Sequence, residues 1–336
     1  MIRLLHLTDT FYPWGGGEIF FNEFLRNLDT SKVQFVCSLV TGEYSKIDLP
    51  IPIHRLSDVN LDEIKKDIDG VVWWGRVGKA ITNFLDIRVR VLMAHSSFNV
   101  DWFLHEASCH TTHCIAVSEV VKNAVGIHPC KTIWCGVDFD RFESCVDRSS
   151  LRSLLGFEAE DFVVGFFCRM GPYKNPEKAV RAVAETDAKL LLIGNGPELT
   201  NVLELCESIM PGRFQHLYYV PVYQMADFYR AVDAVMLTSV AEGCPRVVWE
   251  AMRFRAPLIG ASVGMIPEVV QHKRNGLIAD TREEFSDAIR FLMSDEDGRQ
   301  NIVSEACSSA SMGSIRHTVD DFTIYMTSLV RRDLLL

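Results

Sequence analysis

The chain has 336 residues, of which 48% are hydrophobic and 23% charged, a balance typical of compact globular proteins and unlike that of disordered or fibrous ones. That length is enough for about two domains of roughly 150 residues each. Lys and Arg number 34 against 44 Asp and Glu, so the formal net charge of −10 disfavours nucleic acid as a partner.

No run of roughly 18 to 20 apolar residues occurs, and the opening residues lack the apolar core of a secretory leader. We therefore expect a cytoplasmic protein. The ten cysteines are scattered, several of them within apolar runs, in a chain too large to need disulfides for its stability. They are predicted to be reduced and mostly buried.

The first half of the chain alternates short apolar runs, several rich in Val and Ile, with helical patterns. Strands that alternate with helices are typical of a parallel sheet. Ser118 stands directly before one of the helical patterns, as an N-cap would. The strands predicted in this half are 2–7, 33–40, 71–74, 89–94, 114–117 and 132–137.

Residues 138–155 are polar and charged and interrupt this alternation, which then resumes. The arrangement predicts two doubly wound α/β domains, Rossmann-like and facing across a cleft, over 1–147 and 148–314. The remaining segment, 315–336, is predicted as an amphipathic helix that packs back across the domain junction. The strands predicted in the second half are 162–168, 189–193, 214–220, 234–237 and 257–260.

A glycine-rich turn follows the first predicted strand. Gly15, Gly16 and a third glycine separate Asp9 from an apolar helical pattern. A turn without Cβ atoms lets backbone N–H groups and a helix N-terminus approach a phosphate closely. The glycines alone are equally consistent with a plain tight turn, and no Gly-Lys-Ser/Thr follows them as it does in a Walker loop.

Two cations, Arg169 and Lys174, follow the predicted strand 162–168. In an open parallel sheet, ligands bind at the carboxyl ends of the strands, where these two residues are expected to lie. A planar guanidinium and a compact ammonium five residues apart suit a pyrophosphate better than a single carboxylate. A solvated pair of surface charges is the alternative interpretation.

Two carboxylates eight residues apart follow the strand 234–237. Glu242 is predicted to lie in a loop, Pro245 to open a helix at its first position, and Glu250 to lie about a turn and a half into that helix. Both carboxylates can then face one cleft and accept paired hydroxyl hydrogen bonds, as in sites that hold sugars and riboses. An interaction with the helix dipole explains Glu242 but not Glu250.

Taken in order, the glycine-rich turn at 13–18, the two cations and the segment 239–252 resemble the motifs of the GT-B glycosyltransferases of family 4 (glycosyl transferases group 1). These are retaining enzymes that use nucleotide-sugar donors. The resemblance covers nearly the whole chain, and the set is far more specific than any one motif. Further matching segments are 94–97, 115–118, 135–142, 194–198, 266–270 and 275–278.

The resemblance implies a donor site formed mainly by the second domain. Arg169 and Lys174 are implied to bind the pyrophosphate. Glu250 is implied to bind the ribose hydroxyls, and Glu242 those of the transferred sugar. The residues that follow Glu242, Gly243 and Cys244, belong to the same donor-binding loop.

The first domain is implied to contribute His95, Gly15 and Gly16. His95 would reach the sugar or the reacting phosphate, and the glycines would leave room for phosphate and acceptor. The side chains implied to be catalytic are those of His95, Arg169, Lys174 and Glu242.

The family is thought to react on the front face of the donor, where the leaving phosphate oxygen helps to deprotonate the acceptor hydroxyl. A retaining glycosidase needs a carboxylate nucleophile instead, and no residue is nominated for that place. We expect no metal and no cofactor, the nucleotide-sugar being a co-substrate. Asp138 and Asp140 have the spacing of an Asp-x-Asp metal site, but they lie between the domains. The segment 105–114 is rich in His and Cys, but it lacks the paired Cys-x-x-Cys spacing that is typical of zinc sites.

The expected function is transfer of a hexose from a UDP- or GDP-sugar to a hydroxyl of a glycan, a glycolipid or a small molecule. An inactive scaffold or carbohydrate-binding subunit and a nucleotide-sugar epimerase on the same fold are the alternatives. Cys244 and Pro245 depart from the family's usual residues, which leaves the sugar open, and the short first domain leaves the acceptor open.

Peripheral attachment to the inner membrane face is possible but not indicated, because no basic belt accompanies the candidate apolar surface. The aromatic residues that would form this surface on the acceptor side are Trp73, Trp74, Phe98, Trp102 and Phe103.

Overall fold

The computed structural model describes residues 1–12, 16–45, 48–96 and 110–333. The chain divides into two compact units. Unit 1 comprises Met1–Asp138 with Gly313–Leu336, and unit 2 comprises Phe139–Met312. Each unit is built on its own parallel sheet with helices between successive strands, as the alternating pattern of the sequence predicts.

Unit 1 contains a seven-stranded parallel sheet in the order β3-β2-β1-β4-β5-β6-β7. Its strands are β1 Ile2–Thr8, β2 Val33–Val40, β3 Ile53–Arg55, β4 Gly70–Trp73, β5 Val89–Ala94, β6 His113–Ala116 and β7 Cys130–Thr132. Its described helices are α1 Gly16–Asn27, α2 Leu61–Lys65, α3 Glu119–Val125 and the C-terminal α12 Ile315–Asp333. Ser118 caps α3, as predicted, by accepting a hydrogen bond from the Val121 amide at 3.2 Å.

Unit 2 contains a six-stranded parallel sheet in the order β10-β9-β8-β11-β12-β13. Its strands are β8 Val163–Phe167, β9 Lys189–Ile193, β10 Phe214–Leu217, β11 Ala234–Leu237, β12 Leu258–Gly260 and β13 Leu277–Ile278. Its helices are α4 Arg148–Leu154, α5 Pro176–Ala184, α6 Leu199–Ile209, α7 Met225–Ala231, α8 Arg246–Arg253, α9 Ile266–Val269, α10 Arg282–Ser294 and α11 Glu296–Ser309.

The division between the units falls at 138/139, nine residues before the boundary expected from the sequence. The reason lies in the hydrogen bonds of the segment that follows. The Glu143 amide donates to the Tyr223 carbonyl at 2.8 Å, and Ser144 and the Cys145 amide donate to the Asp227 carboxylate at 2.9 and 3.0 Å. These bonds join the segment to unit 2 before its first helix begins.

The C-terminal helix α12 belongs to unit 1. Phe322 on this helix is 1% exposed and packs edge-on against Phe24 of α1, with the ring centroids 4.9 Å apart. Thr318 accepts a hydrogen bond from the Gly136 amide at 2.9 Å and donates one to the Trp134 carbonyl at 2.8 Å. Among the helices that the structure describes, none is both long and apolar enough to cross a membrane.

Two of the aromatic residues considered for an apolar docking surface are buried: Trp73, the last residue of β4, and Trp74, which follows it. Trp73 is 1% exposed and Trp74 is 8% exposed. The burial of both side chains follows from the position of β4. This strand lies between β1 and β5 in the middle of a parallel sheet and is therefore covered on both faces. Phe98, Trp102 and Phe103 lie outside the described residues.

Candidate functional site

In unit 2, the two predicted cations lie in the loop after β8, but in different environments. Arg169 is exposed, and it forms no ion pair with the part of the chain that the structure describes. Lys174 ends a short 3-10 turn, Pro172–Lys174, and its side chain is only 15% exposed. The loop rests on Gly196, where an added Cβ would lie 2.5 Å from the Met170 carbonyl oxygen.

Lys174 and Glu242 form a buried ion pair. The Lys174 ammonium donates to Glu242 Oε1, and Ser239 Oγ donates to the same oxygen at 2.6 Å. Burial lowers the pKa of Lys174, but the Glu242 carboxylate outweighs this effect and the pKa is raised above its ordinary value. Lys174 therefore stays charged at neutral pH, and the carboxyl ends of β8 and β11 are joined through it.

The donor loop predicted around Gly243 and Cys244 packs closely on the segment that follows β12. The Met265 amide donates to the Gly243 carbonyl at 3.0 Å, and Cys244 Sγ lies 3.0 Å from Met265 Sδ. Gly264 has a φ of +55°, and an added Cβ there would lie 2.6 Å from the Gly243 carbonyl oxygen. Only a glycine allows this close approach.

Glu250 lies in α8 and is 9% exposed. The helix begins at Arg246, with Pro245 as its N-cap residue rather than its first residue as predicted. Tyr229 donates to Glu250 Oε2 at 2.7 Å, and Arg141 donates to Oε1 at 3.2 Å.

Two buried cations therefore share this carboxylate, since Arg246 also lies 3.8 Å from Oε1. Burial and the nearby charge of Arg246 lower the pKa of Arg141 to about 9, which still leaves it cationic at neutral pH. A carboxylate has about four acceptor positions, so Glu250 retains capacity for further donors.

In unit 1, His95 follows β5 and lines a cavity of about 250 Å³. Its Nδ1 lies 3.8 Å from Cys135 Sγ, and its ring meets Trp74 edge-on with the centroids 4.9 Å apart. His95 Nε2 is buried and has no hydrogen-bond partner among the described residues. The cavity is lined by Asp9, Thr10, Gly17, Glu18, Trp74, Gly75, Met93, Ala94, His95, Ser96 and Val125.

The glycine-rich turn is described only in part. Gly16 is the first residue of α1, and no atom of the described residues lies within 4 Å of the place that an added Cβ would occupy. Gly15 lies outside the described residues. Across the described ranges, no group of three or more His, Cys, Asp or Glu side chains is placed to hold a metal ion.

Sequence reasoning assigned no role to several residues that the structure places in these groups. Tyr229 lies within α7, and no sequence pattern marks it. Arg141 lies in the segment 135–142, which carried the resemblance without naming this side chain. Asp9 and Glu18 flank the glycine-rich turn, and their place at the end of β1 and the start of α1 was the available signal.

The two units have the fold of the two Rossmann-like domains of GT-B glycosyltransferases. The chain is similar to HepE of Anabaena in complex with UDP-glucose, with a TM-score of 0.81, 20% identity, and coverage of 98% of this chain and all of that one. It is also similar to sucrose-phosphate synthase from Thermosynechococcus elongatus, with a TM-score of 0.77, 14% identity and full coverage of both chains.

Residues 147–308 match the family described as glycosyl transferases group 1. Over 178 residues the chain is 32% identical to D-inositol 3-phosphate glycosyltransferase of Mycobacteroides abscessus, covering 50% of this chain and 38% of that protein. Over 158 residues it is 31% identical to N-acetyl-alpha-D-glucosaminyl L-malate synthase of Bacillus anthracis, covering 45% and 41%. The matched segment thus spans less than half the length of each of these relatives. The family match is thus confined to residues 147–308, and the two solved structures show the fold.

Proposed function

We propose that the protein is a retaining, metal-independent glycosyltransferase of family 4. It transfers a hexose from a UDP- or GDP-sugar to a hydroxyl of a glycan, a glycolipid or a small molecule. The observation that carries this proposal is the buried Lys174–Glu242 pair at the carboxyl ends of β8 and β11, within the segment that matches group 1 glycosyltransferases. HepE was solved with UDP-glucose, so UDP-glucose is the first donor to test.

In the proposed donor site, different residues of unit 2 bind different parts of the donor. Arg169, which is exposed, binds the pyrophosphate together with Lys174 and stabilises the negative charge that develops on the leaving nucleotide. An interaction that strengthens as the bond breaks raises kcat as well as affinity. Glu250 accepts hydrogen bonds from the ribose hydroxyls on the acceptor positions that Arg141 and Tyr229 leave open.

Glu242 is proposed to hold hydroxyls of the transferred sugar, with Gly243 and Cys244 beside it. Its carboxylate is paired with Lys174 and accepts a hydrogen bond from Ser239, a state that suits hydroxyl recognition better than nucleophilic attack. Reaction therefore proceeds on the front face of the donor, and the protein contributes orientation and charge stabilisation. His95 and the glycine-rich turn are the proposed contributions of unit 1.

The first experiment is calorimetric titration of the full chain with UDP, GDP, ADP and TDP, followed by their sugar conjugates. Arg169→Ala is the informative variant because Arg169 is exposed, whereas Lys174→Ala would also leave the Glu242 carboxylate buried without its partner. A charge-assisted hydrogen bond contributes roughly 1.5 to 3 kcal/mol, so we expect affinity to fall about 10- to 100-fold.

Arg181→Ala is the matched control, since Arg181 lies on α5 of the same unit in an exposed pair with Glu177. It should bind nucleotide as the wild type does. If a folded wild-type protein bound no nucleotide, the proposed donor site would be wrong and an inactive scaffold would replace it. Conversion of a sugar nucleotide without any acceptor would instead support an epimerase.

Retention of the anomeric configuration and independence of metal ions are tested by two separate measurements. The anomeric configuration of the product, read by NMR, should match that of the donor, and inversion would refute the front-face reaction. The transfer rate should be unchanged after exhaustive treatment with EDTA. Loss of activity that added Mg²⁺ or Mn²⁺ restores would refute metal independence.

A further inference from the structure

The cavity of unit 1 lies where the strand order of its sheet reverses. β1 has β2 on one side and β4 on the other, and the cavity is lined by residues that follow β1 and β4 at their carboxyl ends. In open parallel sheets this is the place where ligands bind. Its volume, about 250 Å³, is below the roughly 300 to 1,000 Å³ typical of pockets for drug-sized ligands. It therefore suits a single small ring.

The polar lining of this cavity is acidic. Asp9 and Glu18 lie close enough to interact electrostatically with each other, and Glu18 with His95. Gly75, with a φ of +73°, leaves the space that the Asp9 carboxylate occupies, because an added Cβ would overlap Asp9 Oδ1. A side chain at position 75 would therefore displace the carboxylate from its place.

No Lys or Arg is among the lining residues that the structure describes. Two carboxylates with no Lys or Arg beside them in the described lining disfavour a phosphate or carboxylate group and attract hydroxyl donors. The buried Nε2 of His95, which has no partner among the described residues, offers one more polar contact, and Trp74 adds an aromatic surface.

We propose that this cavity is the acceptor site and that it selects an uncharged polyhydroxyl ring, a sugar or a cyclitol, against phosphorylated or carboxylated rings. Asp9 and Glu18 determine that selection. The assignment as an acceptor site rests on the proposed function, whereas the preference for uncharged rings follows from the lining alone. It separates this chain from the two relatives named for D-inositol 3-phosphate and for L-malate, both of which are anionic compounds.

The test is equilibrium binding to the full chain, measured by NMR titration with and without saturating UDP. The ligands are matched pairs that differ in charge: glucose and glucose 6-phosphate, myo-inositol and inositol 3-phosphate, methyl glucoside and methyl glucuronide. We expect at least one uncharged member to bind at least tenfold more tightly than its anionic counterpart, and no anionic member to bind more tightly than its uncharged one.

Asp9→Asn and Glu18→Gln keep the shape of each side chain and remove its charge. Each should narrow the ratio of affinities within a pair at least threefold. Glu63→Gln is the matched control, because Glu63 is exposed on α2 of the same unit and lies outside the cavity, and it should leave the ratio unchanged. Circular dichroism checks the fold of each variant, and if Glu18→Gln fails to fold, Asp9→Asn decides.

Three outcomes overturn the proposal: anionic rings that bind as tightly as uncharged ones, a ratio that neither variant changes, or no binding of any ring to the folded protein. The titration with UDP alone is scored separately. A chain that binds uncharged rings but no nucleotide would contradict the proposed glycosyltransferase while leaving the selectivity of the cavity established. A chain that binds UDP but prefers anionic rings would support the proposed donor site and contradict the selectivity of the cavity.

Discussion

Glu250 illustrates how much of a site is determined by single hydrogen bonds. Its carboxylate is fixed by Tyr229 from α7, by Arg141 from the segment after the unit boundary, and by Arg246 from its own helix. These contacts restrict both oxygens to one orientation. Tyr229 and Arg141 are therefore positioning residues for whatever Glu250 binds.

Tyr229→Phe removes the donor at 2.7 Å from Glu250 Oε2 and leaves the packed ring in place. If Glu250 binds ribose hydroxyls as proposed, the variant should weaken UDP binding about 3- to 10-fold. It should also reduce the discrimination between UDP and 2′-deoxy-UDP, which a purely structural role would not change. Tyr223→Phe, at a position 45% exposed, is the control. Unaltered discrimination in a variant with weakened UDP binding would contradict the positioning role.

His6 gives unit 1 a pH dependence. The imidazole is fully buried, its Nδ1 lies 2.7 Å from Ser38 Oγ, and burial together with the charge of His95 lowers its pKa to about 3. The unfolded chain takes up this proton near pH 6.5, and the folded chain does so only near pH 3. The contribution to stability is therefore complete above pH 6.5 and is lost as the pH falls from 6.5 towards 3.

His6→Gln should remove this part of the pH dependence. Between pH 7 and pH 5, urea denaturation should show that the free energy of unfolding of the wild type falls by about 2 kcal/mol more than that of the variant. His54→Gln, on the exposed part of β3, is the comparison. Equal slopes in the wild type and in His6→Gln would show that another group carries the dependence.

For single residues, the sequence predicted which side chains belong to the site and where they lie in the chain, but not which side chains contact each other. Lys174 and Glu242 were assigned separate roles, and their ion pair arises only because β8 and β11 are neighbours in the sheet. The network around Glu250 joins residues up to 109 positions apart in the chain. A spacing pattern within one segment carries no information on such partners.

Among the elements, α12 shows how a helix distant in sequence completes a core. Phe322→Ala removes a ring that is 1% exposed and packs on Phe24 and Phe35. Phe-to-Ala changes in cores cost about 3 to 5 kcal/mol, and we expect unit 1 to lose this much in urea denaturation. Ile324→Ala, on the same helix at a position 68% exposed, should change stability by less than about 0.5 kcal/mol. Similar losses in both variants would contradict this packing.

The sequence predicted elements according to the strength of their local pattern. The long apolar strands such as β2 and β9 begin and end where predicted, because a strand buried in a parallel sheet is a continuous apolar run. β3 and β13 were missed. β3 is three residues long with no buried side chain, and β13 has only two residues, so neither has a periodic pattern to detect.

β7 was expected over 132–137 and lies at Cys130–Thr132. Val137, one of the apolar residues that suggested the strand, is buried for a different reason. Val137 forms a bridge with Ser314 at the start of α12, so its burial comes from the C-terminal segment rather than from the sheet. A contact made by residues so far apart in the sequence is invisible to any local pattern.

For the whole molecule, the two units should respond differently to a nucleotide. We expect UDP to slow hydrogen exchange most strongly in unit 2, in the loop that contains Arg169 and Lys174 and in the segment 239–250. Mass-spectrometric exchange of the full chain measures this directly, with inorganic phosphate as the control ligand. Protection confined to unit 1 would contradict the proposed location of the donor.

The pairing of Lys174 with Glu242 has a consequence for which ligands the protein binds weakly. Each of the two charges already serves as the counter-ion of the other. A free phosphate ion would have to take the ammonium away from Glu242 and would leave that carboxylate buried without its counter-ion, with the Ser239 hydroxyl still donating to it. In the proposed donor site, a nucleotide-sugar would supply an anion to Lys174 and hydroxyls to Glu242 at the same time. The free protein would then bind the abundant inorganic anions of a cell only weakly. Its ion pair would separate only for a ligand that carries a sugar and a phosphate together.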